Sequence, residues 1–186
     1  MTAIVGISPQ LPAVRIEAVQ AGAGQYLTFV LGGEIYALGI LNIREIIDYG
    51  QLTQVPMMPA FVRGVINLRG SVVPVIDLMA RFGKGSTGVA KRTGIVIVEI
   101  GDQGDANQQD IGIIVDAVNE VIDIGPQDIE PPASFGTGIH SEFISGMAKR
   151  NGRFIILLNV NKVLSVDELA GLSSVATDSN RSPALE

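Results

Sequence analysis

The chain has no cysteine, no tryptophan and a single histidine, His140. Without cysteine there is no disulfide, no thiol nucleophile and no thiolate metal site. That usage fits a reducing compartment. Basic residues are also scarce, with 13 Lys and Arg against 19 Asp and Glu and a net charge of −6. No basic stripe is visible, which argues against nucleic-acid binding through phosphates. No apolar run approaches the ~20 residues of a membrane helix. The first residues lack a basic segment followed by an apolar core, so no secretory signal is expected. These absences predict a cytoplasmic protein without direct membrane insertion.

Aromatic residues make up only 5% of the chain, while hydrophobic residues reach 47%. The core must therefore be aliphatic, and Val and Ile dominate it, which favours strands. Twenty-two Gly and nine Pro supply frequent turns. Short strands with regular turn signals predict an all-β barrel or sandwich. A length of 186 residues suits one domain or two small intimate ones.

Residues 1–24 mix Pro, Ala, Gly and Gln without a sustained period and read as a flexible arm. Residues 173–186 are small and polar and read as a disordered tail. Between them, residues 26–31 and 34–39 form a hairpin pattern around Gly32-Gly33. Residues 41–47 read as a short helical turn, and 77–82 as another. Residues 93–100 form a long apolar strand that pairs with the next one across the polar loop 101–110. A strand over 117–124 follows, then an extended Pro-containing linker. Asn151-Gly152 marks the last hairpin, and 160–172 reads as a closing helix. About ten strands result. Any internal repeat is too weak in sequence to establish itself.

Residues 61–77 carry the most information. Val65 and Ile66 belong to one strand, and Val72, Val73, Val75 and Ile76 to the next. Asn67, Leu68, Arg69 and Gly70 lie between them and suit a tight reversal. Arg69 is thereby pushed out at a hairpin tip. It can serve there as a solvated turn residue or reach a partner.

The run Gly64-Val-Ile-Asn-Leu-Arg-Gly70, followed by Val73-Pro-Val-Ile-Asp-Leu78, resembles the signature of the CheW-like domain. Ile40 to Ile46, Ile111 to Val121, Gly146 and Phe154 to Val160 resemble further blocks of that family in the same order. The resemblance runs over residues 25–172. It implies two five-stranded, SH3-like β-barrel lobes packed side by side, interleaved in that the termini help complete the neighbouring half, with short helices and a C-terminal helix. It also implies a noncatalytic adaptor without a cofactor. Its partners would be the cytoplasmic tip of transmembrane chemoreceptors and the regulatory domain of the histidine kinase CheA. Receptor contact falls, by resemblance, on Ile43 and Ile46 as apolar residues and on Glu45, Asn67 and Arg69 as polar ones. The helical turn would put Ile43 and Ile46 on one face, although both also suit a core. The resemblance assigns no residue to the kinase interface. An adaptor of another pathway, such as type IV pilus control, shares the same signature.

Catalytic readings find less support. His140 has Ser141 and Ser145 near it in sequence, but no nucleophile-elbow pattern surrounds either serine. Residues 83–88 are glycine-rich yet lack the spacing of a phosphate loop. Asp102, Asp105 and Asp110 lack calcium-loop spacing. A small β-barrel enzyme or ligand-binding protein would need a cluster of convergent polar groups, and no such cluster is visible.

Overall fold

The structure, a computed structural model, describes residues 24–101, 108–132, 139 and 141–164. Strands β1 (Gln25–Leu31) and β2 (Glu34–Gly39) turn at Gly32-Gly33, where both glycines have positive φ. The chain continues through β3 (Ile43–Asp48), β4 (Val62–Leu68), β5 (Ser71–Asp77) and helix α1 (Leu78–Arg81). Strands β6 (Gly94–Ile100), β7 (Gln109–Val115), β8 (Ala117–Asp123) and the two-residue β9 (Ile129–Glu130) follow. Strands β10 (Ile144–Arg150) and β11 (Arg153–Leu158) lead into α2 (Val160–Val163). The predicted helix over 160–172 begins on schedule but runs only to Val163, with Leu164 outside helical geometry as its C-cap; residues 165–172 lie outside the described ones, as do both terminal arms.

Two sheets result, in the orders β8-β1-β2-β11-β10-β9 and β3-β6-β7-β5-β4. We call them the first and second lobes. Leaving β9 aside, each holds five strands with the same pairing: an edge strand, a hairpin, one parallel contact, then a second hairpin. The registers coincide residue by residue. Ile43 opposes Val98 as Val118 opposes Phe29, and Val75 opposes Gly112 as Leu157 opposes Ala37. Residues 34–48 thus map onto 109–123, and 61–82 onto 143–164. The chain is a tandem repeat. Each copy places its first hairpin in one lobe and its later strands in the other, so neither lobe is contiguous in sequence.

One expectation is corrected. Residues 41–47 are not a helical turn. A 3₁₀ turn covers only Ile40–Asn42, and β3 begins at Ile43. Three isoleucines over 43–47 favour extended backbone. Ile43 and Ile46 still share a face, for a different reason. The register against β6 slips between Ile43 and Glu45, and the extra residue returns Ile46 to the side of Ile43.

The core has three parts. A central cluster takes Leu27, Phe29, Tyr36 and Ile156 from the first lobe, and Ile43, Ile76, Val96 and Ile113 from the second. Each sheet buries its other face in a cluster of its own, around Ile122, Ile155 and Leu157 or around Val73, Val75, Ile95 and Ile97. Strand residues therefore alternate between a private core and a shared one. Sharing a core fixes the lobes against each other.

Candidate functional site

The β4–β5 hairpin is built for a tight tip. Arg69 and Gly70 have φ of 52° and 88°, the left-handed pair that a two-residue turn requires. Asn67 sits at the end of β4, opposite Val72, and its Oδ1 accepts the Gly70 N–H at 2.9 Å. The asparagine thus holds the turn that presents Arg69. At that tip Arg69 is largely exposed, and its Nη2 lies 3.0 Å from Glu45 Oε2 on β3. The pair joins the hairpin tip to the edge strand of the lobe.

Arg69 and Glu45 line a cleft of about 360 Å³ together with Arg44, Leu68, Ser71 and Asp110. Arg44 donates through Nε and Nη2 to Glu99, and its Nε lies 3.2 Å from Asp110 Oδ1. Partial burial raises the Asp110 carboxyl above its ordinary range. Arg44 opposes that rise, while Glu99 and Glu45 add to it. The cleft lining carries two guanidinium groups and two carboxylates, and Glu99 adds a third carboxylate as a partner of Arg44. Such a surface can exchange internal pairs for pairs with a docked polar partner.

The five residues expected at this site are split by the pleat of β3. Glu45 and Arg69 meet, with Asn67 behind the turn. Ile43 and Ile46 point the other way, into the shared core: Ile43 is buried at 7% exposure, and Ile46 is half-buried against the same cluster. Ile43 is therefore a core residue. Sequence spacing missed Arg44, Glu99 and Asp110, which come from β3, β6 and β7 and converge only through strand pairing.

The hairpin is anchored at its other end by Asp77, which is fully buried. Its carboxylate accepts from the Met79 and Ala80 amides, capping α1, and from Thr87 through both N–H and hydroxyl at 2.8 Å. Arg63 Nη1 approaches it at 3.0 Å. This network pins the glycine-rich segment after α1 to the lobe. Thr87 in that segment serves Asp77. Ser145 donates its hydroxyl to the Leu157 carbonyl at 3.2 Å. His140, Asp102 and Asp105 lie outside the described residues. Among the described residues no helix is long and apolar enough to cross a membrane.

The profile of the CheW-like domain matches residues 25–168. The chain is 34% identical to the chemotaxis protein CheW of Klebsiella aerogenes over 152 residues, covering 82% of this chain and 88% of that one. It is 35% identical to the CheW of Helicobacter pylori, with 77% and 82% covered. It is also 32% identical to the protein FrzA of Myxococcus xanthus, with 81% and 91% covered. The crystal structure of the scaffolding protein TtCheW from Thermoanaerobacter tengcongensis superposes with a TM-score of 0.68 at 40% identity, covering 78% of this chain and 90% of that one. Two interleaved β lobes, the signature hairpin and these likenesses lead to one conclusion: the chain belongs to the CheW-like family of chemotaxis scaffold proteins.

Proposed function

We propose that the chain is a noncatalytic adaptor that couples the cytoplasmic tips of chemoreceptors to the regulatory domain of the histidine kinase CheA. It would act in the cytoplasm, recruited to receptor arrays. The observation that carries this reading is the Glu45–Arg69 pair, which sits at a hairpin tip on the rim of an open cleft. A rim pair of this kind orients a partner more than it stabilises a fold. Half-buried Ile46 lies on the opposite side of β3, at the shared core, and supplies apolar contact toward the junction of the lobes. Glu45, Asn67 and Arg69 supply polar contact, and Ile43 supports Ile46 from beneath.

The test is a pull-down of purified protein with a receptor signalling domain and with the kinase regulatory domain, each alone and then together. Capture of both supports an adaptor. Capture of neither removes the reading. Similarity to FrzA favours one second reading, an adaptor with the same geometry serving a differently named pathway. Binding to one pathway's receptor and not another's decides between them.

A further inference from the structure

The cleft around Glu45 and Arg69 has a counterpart on the first lobe. The shared register carries Arg44 onto Asn119, Glu45 onto Glu120 and Asp110 onto Ile35. It carries Leu68 onto Arg150, Arg69 onto Asn151 and Ser71 onto Arg153. All six counterparts line a second concavity of about 110 Å³. Asn151 and Gly152 repeat the turn of Arg69 and Gly70, with φ of 52° and 77°.

The chemistry of the two copies differs. On the second lobe the cations are satisfied internally, Arg69 by Glu45 and Arg44 by Glu99 and Asp110. On the first lobe the tip residue is neutral, and two exposed arginines flank it. Arg153 forms no ion pair among the described residues. Among the described residues Arg150 reaches only the Asp123 carbonyl, at 3.4 Å. Among the described residues Glu120 is the one carboxylate that lines the concavity, and it too forms no ion pair there. The floor is apolar, made by Ile35, Ile122 and Ile155. Ile35 and Arg153 also border a neighbouring cleft of about 390 Å³, where Phe154 is 56% exposed.

We propose that this first-lobe cleft is a second protein-docking site, and that its ligand is an extended segment of another protein in which carboxylates alternate with branched apolar side chains. A strand has a side-chain period of two. One face of such a segment meets the isoleucine floor while the other meets Arg150 and Arg153. Strand β8 ends its sheet beside the cleft and, among the described residues, no further strand pairs with its outer edge, which is open to backbone pairing. Glu120 disfavours a carboxylate at the β8 side, so the carboxylates of the segment fall toward Arg150 and Arg153. The whole chain carries a net charge of −6 and repels acidic ligands at long range, so binding must come from this local pair of cations.

The test uses the full chain and a fluorescent peptide of about six residues, an ordinary strand length, alternating Glu with Val. A second peptide replaces each Glu by Lys, and vesicles of anionic phosphatidylglycerol form a third arm. The Glu peptide should bind and perturb the amide resonances of Ile122, Gly152 and Ile155. Binding should weaken at least about tenfold in Arg150→Glu/Arg153→Glu and stay unchanged in Arg69→Ala. Arg153→Ala alone should give a smaller loss, and the melting curves of both variants should match the parent. Equal binding of the Lys peptide, perturbation centred on Glu45 and Arg69, or binding to vesicles without the Glu peptide would each overturn the proposal. So would no binding at all.

Discussion

Phe61 and Phe143 occupy the same place in the two repeats, and the guanidinium of Arg81 stands over both rings, 5.0 Å and 5.2 Å from their centroids. Its Nε also donates to the Val163 carbonyl at 3.2 Å. One side chain from the first repeat thereby ties together the starts of two equivalent hairpins that belong to different lobes. A row of rings runs beside it at spacings near 6 Å, with Phe29, Tyr36 and Phe82 stacked and Phe143 tilted against Phe82.

Arg81→Ala should therefore destabilise the whole molecule rather than one lobe. A partly buried cation over two rings, with a packed stem, supports a loss of about 2 kcal/mol. Urea unfolding should remain a single transition with a lower midpoint. Two separated transitions would show that the lobes are held together elsewhere.

Arg69→Ala should leave the fold nearly untouched, because an exposed ion pair contributes only about 0.2–1 kcal/mol. Affinity for the receptor signalling domain should fall by about 1 kcal/mol or more, as for an interface anchor. Thermal melting and titration calorimetry separate the two effects. Unchanged affinity would leave Arg69 as a residue that only ties its hairpin to β3.

Asp77 and Asn159 are also equivalent, and both cap the short helix that follows them. Only Asp77 additionally holds Thr87 and Arg63. Asn159→Ala should cost about 1 kcal/mol, the usual loss of a cap. Asp77→Ala strands a guanidinium and two further donors, and should cost about 3 kcal/mol. Chemical denaturation of the two variants side by side tests the difference.

Asp110 makes stability depend on pH. Partial burial raises its folded pKa above the ordinary 3.8, so the folded chain holds that proton more tightly than the unfolded chain. The resulting stabilisation is fully present below pH 3.8 and is lost as pH rises through the elevated folded value. Asp110→Asn should flatten the stability profile in that interval. An unaltered profile would place the titration elsewhere.

Gly64 has φ of 155°, and a Cβ there would stand 2.6 Å from the Thr53 carbonyl oxygen. Thr53 bridges to Val65, so that backbone cannot retreat without losing its pairing. Gly64→Ala should cost about 2 kcal/mol or more. Gly70→Ala meets no atom within 4 Å and carries only the strain of its φ of 88°, which costs about 1 kcal/mol. Melting temperatures in the reverse order would refute this ranking.

The sequence by itself determined the local elements. Gly-Gly, Arg-Gly and Asn-Gly set the turns because few residues tolerate positive φ, and runs of Val and Ile set the strands between them. It also determined the family, since ordered blocks survive as residue identities. Tertiary structure decided what no window of sequence contains. The segment over 41–47 reads as helical by its spacing, yet from Ile43 onward it is a strand, because β6 offers its backbone a partner and a bulge restores the apolar face. The repeat is nearly silent in sequence because aliphatic residues replace one another freely at equal burial, while hydrogen-bond register is kept by backbone atoms that carry no side-chain signature. The candidate site follows the same rule. Arg69 was legible from its turn and Glu45 from the family resemblance, but Glu99 and Asp110 meet Arg44 beside that pair only because three distant strands are laid side by side, and that proximity is a property of the sheet.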